Sequence, residues 1–137
     1  MRDSRKGGYG KIPITEIFER SSNTGMVQAI YDQYKKKPEQ FVNRLMNMGL
    51  NEPLGLPIVG EGKPLIPHPD KNGWSGISLP WMAYGYGVLL TPMQILTFYN
   101  AIANDGVMVK PRFIERTQDA WSKMKRNSEV EIISASV

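Results

Sequence analysis

The chain has 137 residues, 41% of them apolar and 22% charged, with a formal charge of +4. That is the balance of ordinary globular protein, at a length that fits one domain or part of one. No apolar run approaches the roughly 20 residues a bilayer-spanning helix needs, and residues 1–11 are basic and glycine-rich without the apolar core of a signal peptide. The lack of cysteine excludes disulfides and thiolate metal sites, and the basic residues gather at the two ends and in Lys35-Lys36-Lys37. They form no stripe interleaved with aromatics, so the charge reads as solvated surface and no nucleic-acid partner is expected.

In chain order, Ile14, Ile17 and Phe18 recur at helical spacing behind Thr15 as a cap, which predicts a short helix stopping at Ser21-Ser22-Asn23. A second helix follows Asn23 or Thr24, with Val27, Ile30, Tyr31 and Tyr34 on one face and the lysine run at its negative end. Pro38 starts a third, lined by Phe41, Leu45 and Met48 and stopped by Gly49. Residues 1–50 are thus read as three helices around the Ser-Ser-Asn triplet.

Residues 51–73 carry five prolines among four glycines, a pattern that forbids a helix and discourages a central strand. A connection of this length is either functional or braced against further protein, and the second is expected here. Residues 74–106 combine an aromatic segment (Trp74, Trp81, Tyr84, Tyr86) with a well-specified helix. Thr91 can cap that helix, Pro92 suits its first position, and Gln94 can reach back to the cap amide. Ile95, Phe98, Tyr99 and Ile102 form its apolar stripe, and Asn104-Asp105-Gly106 ends it. Residues 107–137 read as a short extended piece as far as Ile114, then a polar run, then Val130-Glu131-Ile132-Ile133 as a severed approach to another element.

A Ser-x-Asn triplet is short enough to arise by accident. Its context is more informative: a short helix before it, glycine two residues after it, and then, in order, Gly85-Tyr86-Gly87, Thr91-Pro92-Met93-Gln94, an aromatic-rich helix, Ala103-Asn104-Asp105-Gly106 and Pro111. Over roughly residues 9–112 this resembles the middle of a penicillin-binding protein transpeptidase domain. Gln94 is similar to the class B enzymes, and Gly85-Tyr86-Gly87 to their cell-division branch. The other two boxes of such a site are not in the family's positions. The sequence has no Lys-Thr-Gly or Lys-Ser-Gly, and its one Ser-x-x-K, Ser122-Lys123-Met124-Lys125, follows the triplet by about a hundred positions among further charges, where the family's nucleophile precedes it.

The resemblance implies a mainly helical fragment of the α/β transpeptidase fold shared with serine β-lactamases. It implies that Ser21 and Asn23 are the active-site residues, with Asn23 also binding substrate. Ser21 would relay a proton, since a hydroxyl both donates and accepts, and the Asn23 carboxamide would donate to a substrate carbonyl and accept from a lysine. Ser22 should point away. Gly85 and Gly87 are expected to permit close packing against the missing sheet, and Thr91, Pro92 and Gln94 to act structurally. His68, between two prolines, is expected to be an exposed loop residue, and the four aromatic residues to be core or cover for absent protein. No cofactor and no metal are expected.

The implied parent is anchored in the inner membrane through a segment outside this chain, with the domain extracytoplasmic (periplasmic). The implied partners are peptidoglycan stem peptides, β-lactams and the remainder of the transpeptidase domain, with self-association of the isolated piece, which is expected to be inactive. Two rivals stand beside this reading: a β-lactamase or β-lactam-sensor domain of the same fold, which the Thr-Pro-x-Gln helix disfavours, and a stand-alone helical interaction module.

Overall fold

The computed structural model describes residues 2–113 and, for the backbone, 129–131. The Ser122 tetrad, Ile114 and the last residues of the tail lie outside them. The elements are α1 (Ile14–Glu19), α2 (Asn23–Tyr34), α3 (Pro38–Asn47), α4 (Ser78–Met82), α5 (Pro92–Ala103), β1 (Val107–Val109) and β2 (Glu129–Glu131). The fold described is mainly helical, as expected.

Two compact units divide the chain: Met1–Asn43 with Pro67–Val88, and Arg44–Ile66 with Leu89–Val137. In the first, α2 packs against both α1 and α4. Val42 is fully buried, Leu79, Met82 and Ala83 join it as buried apolar side chains, and the rings of Tyr34 and Phe41 meet at 5.4 Å. The sequence reading misses α4, a single turn too short for periodicity to reveal. Pro80 falls in its first turn, where the missing amide has no intrahelical partner to lose.

Two expectations in this unit are corrected. Thr15 does not cap α1, because the helix begins one residue earlier, at Ile14, with Pro13 in the cap position and no side-chain cap. His68 is not an exposed loop residue. Its Nδ1 accepts the Asp70 amide at 3.2 Å, which leaves Nε2 to donate to Asn43 Oδ1 at 3.2 Å, and the ring is half-buried. Gly85 and Gly87 take positive φ, 94° and 77°, and a β-carbon on either would meet open space among the described residues.

In the second unit Gly49, at φ 76°, ends α3 as the sequence predicts. Its amide reaches the Met46 carbonyl, and the Leu50 amide the Leu45 carbonyl, the paired pattern that satisfies orphan carbonyls at a helix end. The proline-rich connection is braced from within. Glu61 accepts the amides of Leu54 and Leu56 at 2.6 and 3.0 Å, and Leu65 exchanges both backbone bonds with Leu89. Thr91 and Gln94 close the expected capping box at 3.1 and 2.8 Å, and Gln94 also donates to the Glu52 carbonyl at 2.9 Å.

The apolar stripe of α5 is not its buried face. The buried face is Gln94, Thr97 and Ala101, and α5 packs against β1. Ile95, Tyr99 and Ile102 are 45%, 57% and 50% exposed. Gln94 is held inward by its bonds to the cap amide and to Glu52, and of the stripe only Phe98 is half-buried. Asp105 and Gly106, at φ 52° and 83°, turn the chain into β1, which pairs antiparallel with β2 in the register Val107 opposite Glu131.

Candidate active site

The Ser-Ser-Asn triplet forms the junction between α1 and α2, and each residue has a different backbone duty. The Ser21 amide donates to the Phe18 carbonyl at 3.0 Å and the Ser22 amide to the Ile17 carbonyl at 2.9 Å, which closes α1 with a left-handed residue. Glycine usually holds that place. Here it is Ser21, at φ 48°. A side chain in this region costs about 1–2 kcal/mol of local strain, and such strain gathers at functional sites.

Ser22 has the opposite duty. It is 3% exposed and caps α2: its Oγ accepts the Gly25 amide at 3.1 Å and donates to Asp3 Oδ2 at 3.1 Å. Asn23 is the first helical residue of α2. Ser21 is exposed and Asn23 half-buried, and neither side chain finds a hydrogen-bond partner among the described residues. The middle serine is therefore fixed inward, while the flanking hydroxyl and carboxamide stay free to bond to something else.

Gly25 completes the junction. A β-carbon there would come within 2.7 Å of Ile17 Cγ2 and 2.8 Å of its Cγ1, so the missing side chain is what lets α1 and α2 approach. Spacing alone shows that a glycine follows the triplet; its reason, contact with a residue six positions before Asn23, needs the fold.

Asp3 is the residue of this junction that the sequence reading missed. Its Oδ1 accepts the Thr24 amide at 3.0 Å and its Oδ2 the Thr24 hydroxyl at 2.5 Å, beside the Ser22 hydroxyl. The Thr24 hydroxyl first and then the Thr24 amide hold the carboxyl below the usual aspartate range, opposed by desolvation and aided more weakly by Ser22 and the Asn23 amide. The signal available was charge: α2 has no acid in its own first turn. An open cleft of about 400 Å³ on this side is lined by Asp3, Tyr9, Ser22, Thr24 and Gln28 among others, and Ser21 and Asn23 do not line it. Among the described residues no cluster of acids and histidine suits a metal ion.

This inward and outward division falls on the residues where the resemblance puts the Ser-x-Asn box, and comparison places the chain in a family. The model of the penicillin binding protein transpeptidase domain matches residues 2–137. The chain belongs to that family.

Among members of the family, the penicillin-binding protein PbpB of Mycobacterium tuberculosis is 30% identical over 98% of this chain and 20% of its own length. The peptidoglycan D,D-transpeptidase FtsI of Escherichia coli is 28% identical over 72% of this chain and 16% of its own. The chain thus spans about a fifth of the length of such transpeptidases. The crystal structure of penicillin binding protein 3 from M. tuberculosis, in its apo form, superposes with a TM-score of 0.71 at 31% identity over 96% of this chain and 27% of that one. Its complex with aztreonam gives 0.70 at 33% identity, over 83% and 24%. The transpeptidase fold therefore holds for this helical segment, and the named relatives support neither the β-lactamase nor the stand-alone module reading.

Proposed function

We propose that this chain is the part of a peptidoglycan D,D-transpeptidase that supplies the Ser-x-Asn box to acyl transfer. The reading is carried by the junction: Ser21 and Asn23 present polar groups without a partner among the described residues, on either side of a serine that is buried and bonded. Attack by a serine on the carbonyl of a D-Ala-D-Ala bond requires a base for the hydroxyl proton and a route that returns a proton to the leaving amine. Ser21 serves that route, accepting a proton on one side and donating one on the other without net charge. The Asn23 amide donates to a carbonyl of the bound peptide and its oxygen accepts from the catalytic lysine, and neither contact changes protonation near neutral pH. The attacking serine and its lysine belong to the parent protein, since no Ser-x-x-K precedes Ser21 in this sequence.

Gln94 supports class B for the parent, and Gly85-Tyr86-Gly87 favours its cell-division branch over the elongation branch. Its substrate places the domain outside the cytoplasm, with an anchor elsewhere in the parent; no helix among the described residues is long and apolar enough to cross a membrane. The uncovered stripe of α5 is the face that the remainder of the transpeptidase domain covers. Such a surface suits a segment that completes its core against further protein better than a self-sufficient module.

Two arms test the reading. In the complete transpeptidase, Ser21→Ala and Asn23→Ala should each slow acylation by a fluorescent penicillin roughly 10²-fold or more while the protein stays folded. The isolated chain should form no covalent adduct. Wild-type acylation in both variants would remove Ser21 and Asn23 from the site. A stoichiometric band on the isolated chain that Ser122→Ala abolishes would overturn the assignment of the nucleophile to the parent.

A further inference from the structure

The three donors that converge on Asp3 come from Ser22 and Thr24, the residues on either side of Asn23. Each carboxylate oxygen is used, and the contact spans 19 to 21 positions of sequence. Resting on the role of Ser21 and Asn23 proposed above, we propose that Asp3 is a positioning residue of the acyl transfer. It never touches substrate. By tying Ser22 and Thr24 to one group it holds the residue between them, Asn23, and the one before them, Ser21, in the working arrangement.

The need for such a tie follows from the local strain. Ser21 sits in a left-handed conformation that its β-carbon disfavours, so a free junction would relax by rotating about Ser21 and Ser22. Asp3 opposes that rotation from outside the junction, because turning Ser22 outward breaks its bond to the carboxylate as well as the Gly25 cap. The carboxylate also stands at the positive end of α2, a helix of 12 residues whose own first turn lacks an acid. An amide in its place has only one acceptor oxygen and a donor group, and cannot receive all three bonds.

The arm that carries Asp3 is clasped a second time. The Tyr9 ring lies 5.3 Å from the Arg20 guanidinium carbon and 5.8 Å from that of Arg5, and Arg20 is also paired with Glu16 at 2.6 Å. Removing the Asp3 charge therefore leaves the arm a hold on α1, so the variant tests position more than folding.

The test uses the complete transpeptidase, with a fluorescent penicillin as probe and the saturated acylation rate measured separately from apparent binding. Asp3→Asn and Asp3→Ala should slow the saturated step about tenfold or more, since small misplacements of reacting groups carry costs of that order. Apparent binding should change less than about twofold, and Asp3→Glu should recover part of the rate. Thr24→Val, which removes one of the three donors, should slow the same step and add little further in the Asp3→Ala background.

A wild-type saturated rate in Asp3→Asn, or a loss matching the fall in folded fraction alone, overturns the proposal. Should Asp3→Asn not fold, a wild-type rate in Thr24→Val does so. If Ser21→Ala and Asn23→Ala also acylate normally, the site assignment has failed; if they are crippled while Asp3→Asn is not, only the positioning role has.

Discussion

Ile17 occupies the space where a side chain on Gly25 would lie, three of its carbons standing 2.7 to 3.0 Å from the place of a β-carbon. The two helices of the junction thus meet at one absent methyl group. Gly25→Ala gains helix propensity of about 1 kcal/mol but overpacks against a β-branched side chain with little rotamer freedom, which costs about 1–3 kcal/mol. The expected net effect in the complete transpeptidase is a loss of up to about 2 kcal/mol, seen as a lower denaturant midpoint. Ile17→Ala in the Gly25→Ala background should cost less than Ile17→Ala alone. Additive losses would show that the two residues do not meet.

Ser21 separates stability from function. Ser21→Gly relieves the left-handed strain and should stabilise the protein by about 1 kcal/mol. Ser21→Ala keeps the strain and should leave stability within about 0.5 kcal/mol. Both lose the hydroxyl, so both should acylate poorly. An active Ser21→Gly variant would mean that the hydroxyl is dispensable and that the conformation alone matters.

The sequence disclosed much of what is written within one turn of helix, though it misread Thr15 as a cap. Thr91, Pro92 and Gln94 announce the α5 cap because all three groups of the capping box fall within four residues, and Gly49 and Asp105-Gly106 announce helix ends because the left-handed conformation selects for them. The triplet was legible as a helix junction on the same ground. What was hidden depends on partners far along the chain. Asp3 is an ordinary acid among basic residues until the fold brings it to Thr24, and His68 is an ordinary loop histidine until Asn43 meets it. Which face of α5 this chain covers was not legible, because periodicity identifies which residues share a face but not which face the rest of the chain covers.

That bare face yields a comparison between two forms of the protein. Ile102 is half exposed here, in the same stripe as Ile95 and Tyr99. In the isolated chain Ile102→Lys should change stability by less than about 0.5 kcal/mol and lower the binding of a hydrophobic dye. In the complete transpeptidase, with the stripe covered, the same change buries an ammonium without a partner and should cost roughly 2–4 kcal/mol by denaturant unfolding. Equal and small effects in the two forms would show that the remainder of the domain leaves the stripe in water.

The Asp3 contact also fixes a direction of pH dependence. The folded carboxyl holds its proton less tightly than an unfolded one, because the Thr24 hydroxyl and amide and the Ser22 hydroxyl all donate to the charged form. Its contribution is therefore fully present above the usual aspartate range and is lost as pH falls through that range towards the lowered value. The local readout is hydrogen exchange at the Thr24 amide, which donates to Asp3 Oδ1. In the complete transpeptidase its protection, corrected for the intrinsic rate, should decline through that acidic window, whereas in Asp3→Asn it should start lower and stay flat. Protection that rises on acidification, or that falls in parallel in the two proteins, would mean that another group holds the start of α2.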